Sequence, residues 1–187
     1  MKFCNTNLHG LIKIKPSYFE DDRGYFVESF NHKKLEEYLN SQVNFCQDNE
    51  SMSNKNVLRG LHFQIDPFAQ SKLIRVIRGS VLDVVVDLRN NSPTFGMHQS
   101  FLISDKNCYQ LFIPKGFAHG FLSLEDNTIF SYKVDNYYNF ESESGIRYDD
   151  PTLAVEWGVE KNQLIISDKD SALPNFKLKK NYFQYTK

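Results

Sequence analysis

The chain has 187 residues, 41% hydrophobic and 14% aromatic, with 16 Phe and 10 Tyr. That is long enough for one enclosed core and too apolar for a disordered chain. Twenty-two Lys and Arg against 23 Asp and Glu leave a formal charge of −1, which excludes a general attraction to nucleic acid or anionic membranes but not a local anion site.

The opening stretch MKFCNTNLHGLIKIK lacks the continuous apolar core of a secretory signal. No apolar run approaches the roughly 20 residues that span a bilayer. Cys4, Cys46 and Cys108 are odd in number and far apart. Free thiols in a reducing cytoplasm are therefore expected, rather than disulfides or a Cys-rich metal motif.

In chain order, LIKIKPSYF and GYFVESF read as extended pieces joined at Glu20–Gly24, where Asp and Gly favour a turn. In FNHKKLEEYLN, Leu35, Tyr38 and Leu39 share helical spacing, which predicts a short amphipathic surface helix. From Asn56 the pattern turns to strands. KLIRVIRG alternates Lys72, Ile74 and Val76 against Leu73, Arg75 and Ile77, and SVLDVVVDL follows Gly79. HQSFLIS, YQLFIP, GFLSL and NTIFSYKV continue the series between Asn, Gly, Pro or acidic punctuation. Many short strands predict an all-β sandwich or barrel with short peripheral helices. The long helices of a Rossmann fold, GxGxxG and GxxxxGK are all missing. The C-terminal third, with IRYDDP and SDKDSALPNF, reads as ordered loops around short elements. No repeat or linker marks a boundary, so residues 1–187 are expected to form a single domain. KLKKNYFQYTK falls within a peripheral surface segment spanning 175–187.

The stretch NVLRGLHFQIDPFAQSKLIRVIRG places His62 between a basic glycine turn and a β-prone run. A metal centre in a β-barrel of the cupin kind commonly shows His-x-His, a downstream Glu, and a distant His after Pro-x-Gly. IPKGFAHGF supplies Pro114, Gly116 and His119, but Gln64 stands where the second histidine belongs, and Phe68 and Ala69 stand near the place of the acid. Two separated imidazoles make a poor inner sphere, so no metal is expected. A general base suits an imidazole better, with a carboxylate to orient it. Local sequence does not select that carboxylate, and a packed histidine beside Leu61 and Phe63 is the bland alternative.

The surroundings favour chemistry. Arg59 offers a planar fork for phosphate, and Lys72 a compact charge for a developing oxyanion. Gly60 would permit a bulge, letting side chains of opposite parity face one cavity. Arg23, beside Gly24, is equally an anion contact or a solvated turn residue. Tyr132, Tyr137 and Tyr138 in FSYKVDNYYNF are proton donors, stacking surfaces or core aromatics.

Several separated motifs then resemble one family in order, from about Leu11 through Pro174. They are FEDDRGYFVESF, FCQDNESMSNKNVLRGLHFQ, AQSKLIRVIRGSVLDVVVDLR, SPTFG, IPKGFAHGF, YKVDNYY and SDKD. They are similar to the dTDP-4-dehydrorhamnose 3,5-epimerases, a metal-independent branch of the cupin-like jelly-roll fold. The resemblance implies His62 as proton-abstracting base, Asp170 as its orienting carboxylate, Tyr132 as opposite-face donor and Lys72 beside the sugar ketone. It also implies substrate contacts from Arg23, Phe26, Glu28, Gln47, Asp48, Asn49, Arg59, His119, Glu143 and Lys169, with Tyr138 as an aromatic wall. The implied substrate is a dTDP-4-keto-6-deoxy sugar, inverted at C3 and C5 without a cofactor. A homodimer is implied too, with N-terminal residues such as Arg23 and Glu28 reaching the neighbouring site. The alternatives are an epimerase restricted to C3 or acting on another nucleotide-4-keto sugar, and a nonenzymatic nucleotide-sugar-binding cupin.

Overall fold

The computed structural model describes residues 1–178 and 180–185. The chain begins with strands Lys2–Asn5 (β1) and Ile12–Lys15 (β2), the hairpin Tyr18–Asp21 (β3) and Gly24–Val27 (β4), and helix His32–Leu39 (α1). Then come Gln47–Ser53 (β5), Leu58–Gln64 (β6), Lys72–Arg78 (β7), Ser80–Asp87 (β8), Arg89–Asn90 (β9) and His98–Ser104 (β10). Gln110–Ile113 (β11), Phe117–Ser123 (β12), Thr128–Val134 (β13) and Glu143–Gly145 (β14) complete the main sheets. The one-turn helix Asp168–Ser171 (α2) and strand Phe183–Gln184 (β15) follow.

Two antiparallel sheets face each other, in the orders β1-β2-β11-β7-β13-β5 and β10-β8-β12-β6-β14. Along a strand the side chains alternate between faces, and here both faces of the central strands find cover. Between the sheets lie Ile74, Val76, Leu111, Ile113 and Phe130 from one side and Val81, Val85, Ile103, Phe117 and Phe121 from the other. The outer face of the five-stranded sheet, with Leu58, Val84, Val86 and Leu122, is covered by Ile146, Tyr148, Leu153 and Trp157. The outer face of the six-stranded sheet packs Ile12, Ile14, Leu73 and Phe112 against Leu35 and Val43. This double cover explains why SVLDVVVDL lacks the clean alternation of a half-exposed antiparallel strand.

The predicted surface helix is present. Asn31 caps it by accepting a hydrogen bond from the Lys34 N–H at 3.1 Å, and Leu35 is its buried residue. The first predicted strand divides at Pro16, which has no N–H to give a ladder, and β3 runs on through Asp21 into a tighter turn. The GFLSL strand begins earlier, at Phe117, so His119 sits inside β12 rather than in a turn. The segment expected to be peripheral from residue 175 onward needs amending at two positions. Phe176 and Phe183 are buried in the core cluster beneath the five-stranded sheet, and β15 pairs in parallel with β9. Aromatics scattered among lysines carry no periodicity that marks them as core. No helix among the described residues is long and apolar enough to cross a membrane.

Candidate active site

The interior of the sandwich is apolar at one end and polar at the other, and the change falls within single strands. On β7 the inward positions are Val76, Ile74 and Lys72. Across the β13 register Val76 opposes Phe130 and Ile74 opposes Tyr132. On β12 His119 lies between the inward Phe117 and Phe121, and on the edge strand β5 Asn49 opposes Tyr132 and Ser51 opposes Phe130. Of these, Lys72, Phe130, Tyr132, His119, Phe121, Asn49 and Ser51 line a cleft with a cavity of about 400 Å³. An adjoining cavity of about 330 Å³ shares Asn49, His62, Lys72 and Tyr132 with it.

Arg59 and His62 enter this cleft together because β6 bulges. Arg59 pairs with Phe121, while His62 pairs with His119, so three residues of β6 advance against two of β12. The parity change expected at Gly60 is therefore in place. Gly60 has φ +125°, and a Cβ there would meet Gly120 Cα at 2.6 Å and His119 O at 2.9 Å. Gly60→Ala is expected to cost several kcal/mol, combining an unfavourable left-handed backbone with overpacking against another strand. Thermal melting of the variant checks this; an unchanged midpoint would show that the bulge is not constrained.

His62 and Asp170 are 108 residues apart in sequence, yet the His62 Nε2 lies 2.7 Å from Asp170 Oδ1. Asp170 is the third residue of α2, where its own N–H donates to the capping Ser167 Oγ at 3.1 Å, and its Oδ2 accepts the Gly60 N–H at 3.1 Å. Burial acts to raise the carboxyl, but hydrogen bonds from His62 and Gly60 and the nearby Lys169 outweigh it and hold it below the usual range. With Nε2–H donated to Asp170, the lone pair sits on Nδ1. The His62 side chain is 31% exposed against 6% for Asp170, so the ring reaches the cleft while its partner lies behind it.

Lys72 lies with its ammonium 6.0 Å from the Tyr132 ring centroid. Desolvation lowers it to about 8, against the pull of Asp83 and Glu143. Desolvation likewise raises the Tyr132 hydroxyl above its ordinary value; Arg59 opposes this and Glu143 adds to it. The phenol therefore keeps its proton at neutral pH. His119 lines the same cavity, with Nε2 2.7 Å from the buried Asp83 Oδ2. Arg59 is steadied by donation from Nε to Ser53 Oγ at 3.1 Å.

The outer half of the cleft is a connected polar rim. Glu143 Oε2 accepts from the Tyr138 hydroxyl at 2.8 Å and lies 2.6 Å from Lys169 Nζ. This ties β14 to the helix that carries Asp170. Gln47 donates to Asn49 Oδ1 at 2.8 Å. Asp48 points to the opposite face of β5 and pairs with Lys133 at 2.9 Å, so the fold does not bring its side chain into the cleft. Nor does it bring in Arg23, Phe26 or Glu28. Arg23 is held by Asp21, Glu28 by Lys34, and the hairpin exposes Phe19 at 62%, Tyr25 at 58% and Phe26 at 69%.

Sequence reasoning passed over Ser51, Glu50 and Ser167, which line the cavity, and Ser53, which holds Arg59. It also passed over β5 itself, because an edge strand with a cleft on one face and solvent on the other needs no apolar residues. Asp83 did carry a signal, as an acid in the middle of VLDVVVDL. Among the described residues, no group of three or more His, Cys, Asp or Glu side chains converges as a metal-binding set. Each site histidine is instead paired with one carboxylate.

The fold is a cupin-like β-sandwich whose cleft gathers the His62–Asp170 pair, Lys72 and Tyr132. The sequence profile of the family described as dTDP-4-dehydrorhamnose 3,5-epimerase matches residues 5–178. The chain is 50% identical over 170 residues to the dTDP-4-dehydrorhamnose 3,5-epimerase of Methanothermobacter thermautotrophicus, covering 90% of this chain and 91% of that one. It is 49% identical over 173 residues to the Escherichia coli enzyme of the same name, covering 92% and 93%. A solved structure of a dTDP-6-deoxy-D-glucose-3,5-epimerase from Legionella pneumophila, in complex with dTDP-4-keto-L-rhamnose, superposes with a TM-score of 0.94. Its identity is 43%, covering 100% of this chain and 99% of that one. This chain belongs to the dTDP-4-dehydrorhamnose 3,5-epimerase family and is an isomerase.

Proposed function

We propose that the chain converts dTDP-4-dehydro-6-deoxy-D-glucose to dTDP-4-dehydro-L-rhamnose by inverting C3 and C5. The observation that carries this reading is the convergence of the His62–Asp170 pair, Lys72 and Tyr132 on one cleft. The C4 ketone acidifies the hydrogens on both neighbouring carbons, so no cofactor is required. Nδ1 of His62 takes the proton, and the electron pair left on carbon moves into an enolate whose oxygen meets the Lys72 ammonium. Tyr132 then delivers a proton from the opposite face, at C5 above all, and regains one from solvent. Asp170 holds the His62 ring and stabilises its charged form. Arg59 takes the diphosphate, Gln47, Asn49 and His119 hold the sugar and nucleotide, and Tyr138, Glu143 and Lys169 form the wall.

Incubation with the dTDP-keto sugar in heavy water tests the reading. Enzyme-dependent deuterium at both C3 and C5 is expected. No incorporation would overturn it, and incorporation at C3 alone would restrict the enzyme to one centre. The exchange rate is also expected to fall as pH rises through about 8, because Lys72 is charged below that value and neutral above it. A rate that holds flat to pH 10 would remove Lys72 from the enolate.

The reading includes a cytoplasmic homodimer in which the β3–β4 hairpin of one subunit completes the cleft of the other. Its support is that Arg23, Phe26 and Glu28 lie outside their own cleft, on or just after a hairpin that exposes four large aromatics. The free thiols Cys4, Cys46 and Cys108 suit a reducing compartment. Co-refolding Arg23→Ala chains with His62→Gln chains should recover about a quarter of wild-type activity, since half the dimers are mixed and each has one intact site. No recovery would place Arg23 within its own subunit's reach.

A further inference from the structure

We infer that Asp83 is a positioning residue for this reaction, a fixed carboxylate behind the cleft that keeps the Lys72 ammonium charged and the His119 ring oriented. The role in turnover rests on the acid–base reading above; the charge relation itself does not. Asp83 is fully buried in the middle of β8, with Val81 and Val85 on the same inward face as core residues. An isolated carboxylate in such a place is costly unless it is compensated. Here the compensation is one-sided. Oδ2 lies 2.7 Å from His119 Nε2, while Oδ1 has no hydrogen-bond partner among the described residues.

Holding a histidine by one hydrogen bond needs an acceptor, and a neutral amide oxygen would serve without the burden of a buried charge. A half-bonded anion in an apolar strand points to use of the charge. The cation within its field is Lys72, on the facing sheet. Around Lys72 the cleft also presents Arg59 and His62 from β6, His119 from β12, Tyr132 from β13 and Glu143 from β14. On the remaining sides stand Glu50 of β5 and Lys169 and Asp170 of α2. Asp170 is engaged by His62, and Glu143 by Lys169 and Tyr138. Glu50 is exposed to solvent, so Asp83 remains the buried carboxylate with an unengaged oxygen. Burial alone would leave Lys72 neutral more readily, and a neutral amine donates a weaker hydrogen bond to an enolate.

The test is Asp83→Asn, which keeps an acceptor for His119 and removes the charge. Lys72 is titrated in the free protein by carbon-13 NMR at its ε-carbon, so the result does not depend on the chain being an epimerase. The midpoint is expected to fall from about 8 by about one unit or more. A midpoint unchanged within a few tenths would overturn the inference, because a merely structural Asp83 would not move it. In turnover, the alkaline limb of deuterium exchange should move down by the same amount, with kcat reduced and KM changed less than twofold. An alkaline limb that stays in place would also count against it. Should the Asn chain not fold, His119→Gln answers from the other side. It leaves the Asp83 charge in the field of Lys72, so the midpoint holds or rises, and a fall would overturn the inference.

Discussion

In the His62→Gln chain, deuterium incorporation at both C3 and C5 is expected to fall by about 10³-fold or more, within the range set by losing a general base. Glutamine is the informative replacement. Its amide nitrogen reaches about as far as imidazole Nε2, so Asp170, which is 4% exposed and also bonded to the Gly60 N–H, keeps a donor. What is lost is the basic nitrogen on the cleft side. Arg59 and its anchor Ser53 are untouched, so dTDP affinity should change by less than about threefold. Near-normal exchange in this variant would remove His62 from the role of base. A large loss of dTDP affinity would instead make it a binding residue.

Tyr132→Phe is expected to separate two events that His62→Gln abolishes together. The ring stays, with its contact to Phe130 and its place beside the Lys72 ammonium, so the core and the cation's surroundings persist. Among the described residues no side chain hydrogen-bonds the Tyr132 hydroxyl, so its removal orphans no partner and stability should hold within about 0.5 kcal/mol. Carbanion formation continues through His62 and Lys72. Inversion at C5 should then fall by about 10²- to 10³-fold, while C5 deuterium exchange with retention persists as His62 returns the proton to the face it came from. Product stereochemistry by NMR alongside exchange reads both. Unchanged inversion at C5 would reject the donor role.

These two side chains were legible to different degrees. His62 stood out locally because Arg59, Gly60 and Lys72 surround it with anion-binding chemistry and a place for a bulge, and the β6–β12 register bears out that parity change. Tyr132 did not stand out from Tyr137 and Tyr138 on local grounds. Its selection came from resemblance, and in the fold it is the one of the three on the inward face of β13, opposite Asn49. Asp170 was invisible locally for a plain reason. A partner 108 residues away leaves no periodic trace, and SDKD reads as a capped turn whether or not a histidine lies beneath it.

The strands and the helix follow from the residues themselves. Alternation in KLIRVIRG, the β-branched run after Gly79, the Asn31 cap and the turn residues state local preferences that the chain obeys. The same is true of the missing His-x-His, since Gln64 is simply not a histidine. Only the tertiary structure decided which face of each strand became the cleft, because the central strands carry core residues on both faces and the apolar pattern marks neither one. It alone buried Phe176 and Phe183 and turned a polar stretch into the edge strand β5. It alone kept the Arg23 hairpin out of its own cleft and set the buried Asp83 against His119. Local preference acts over a few residues of backbone, whereas burial, register and charge pairing depend on which segments meet, and that is settled by packing of the whole chain.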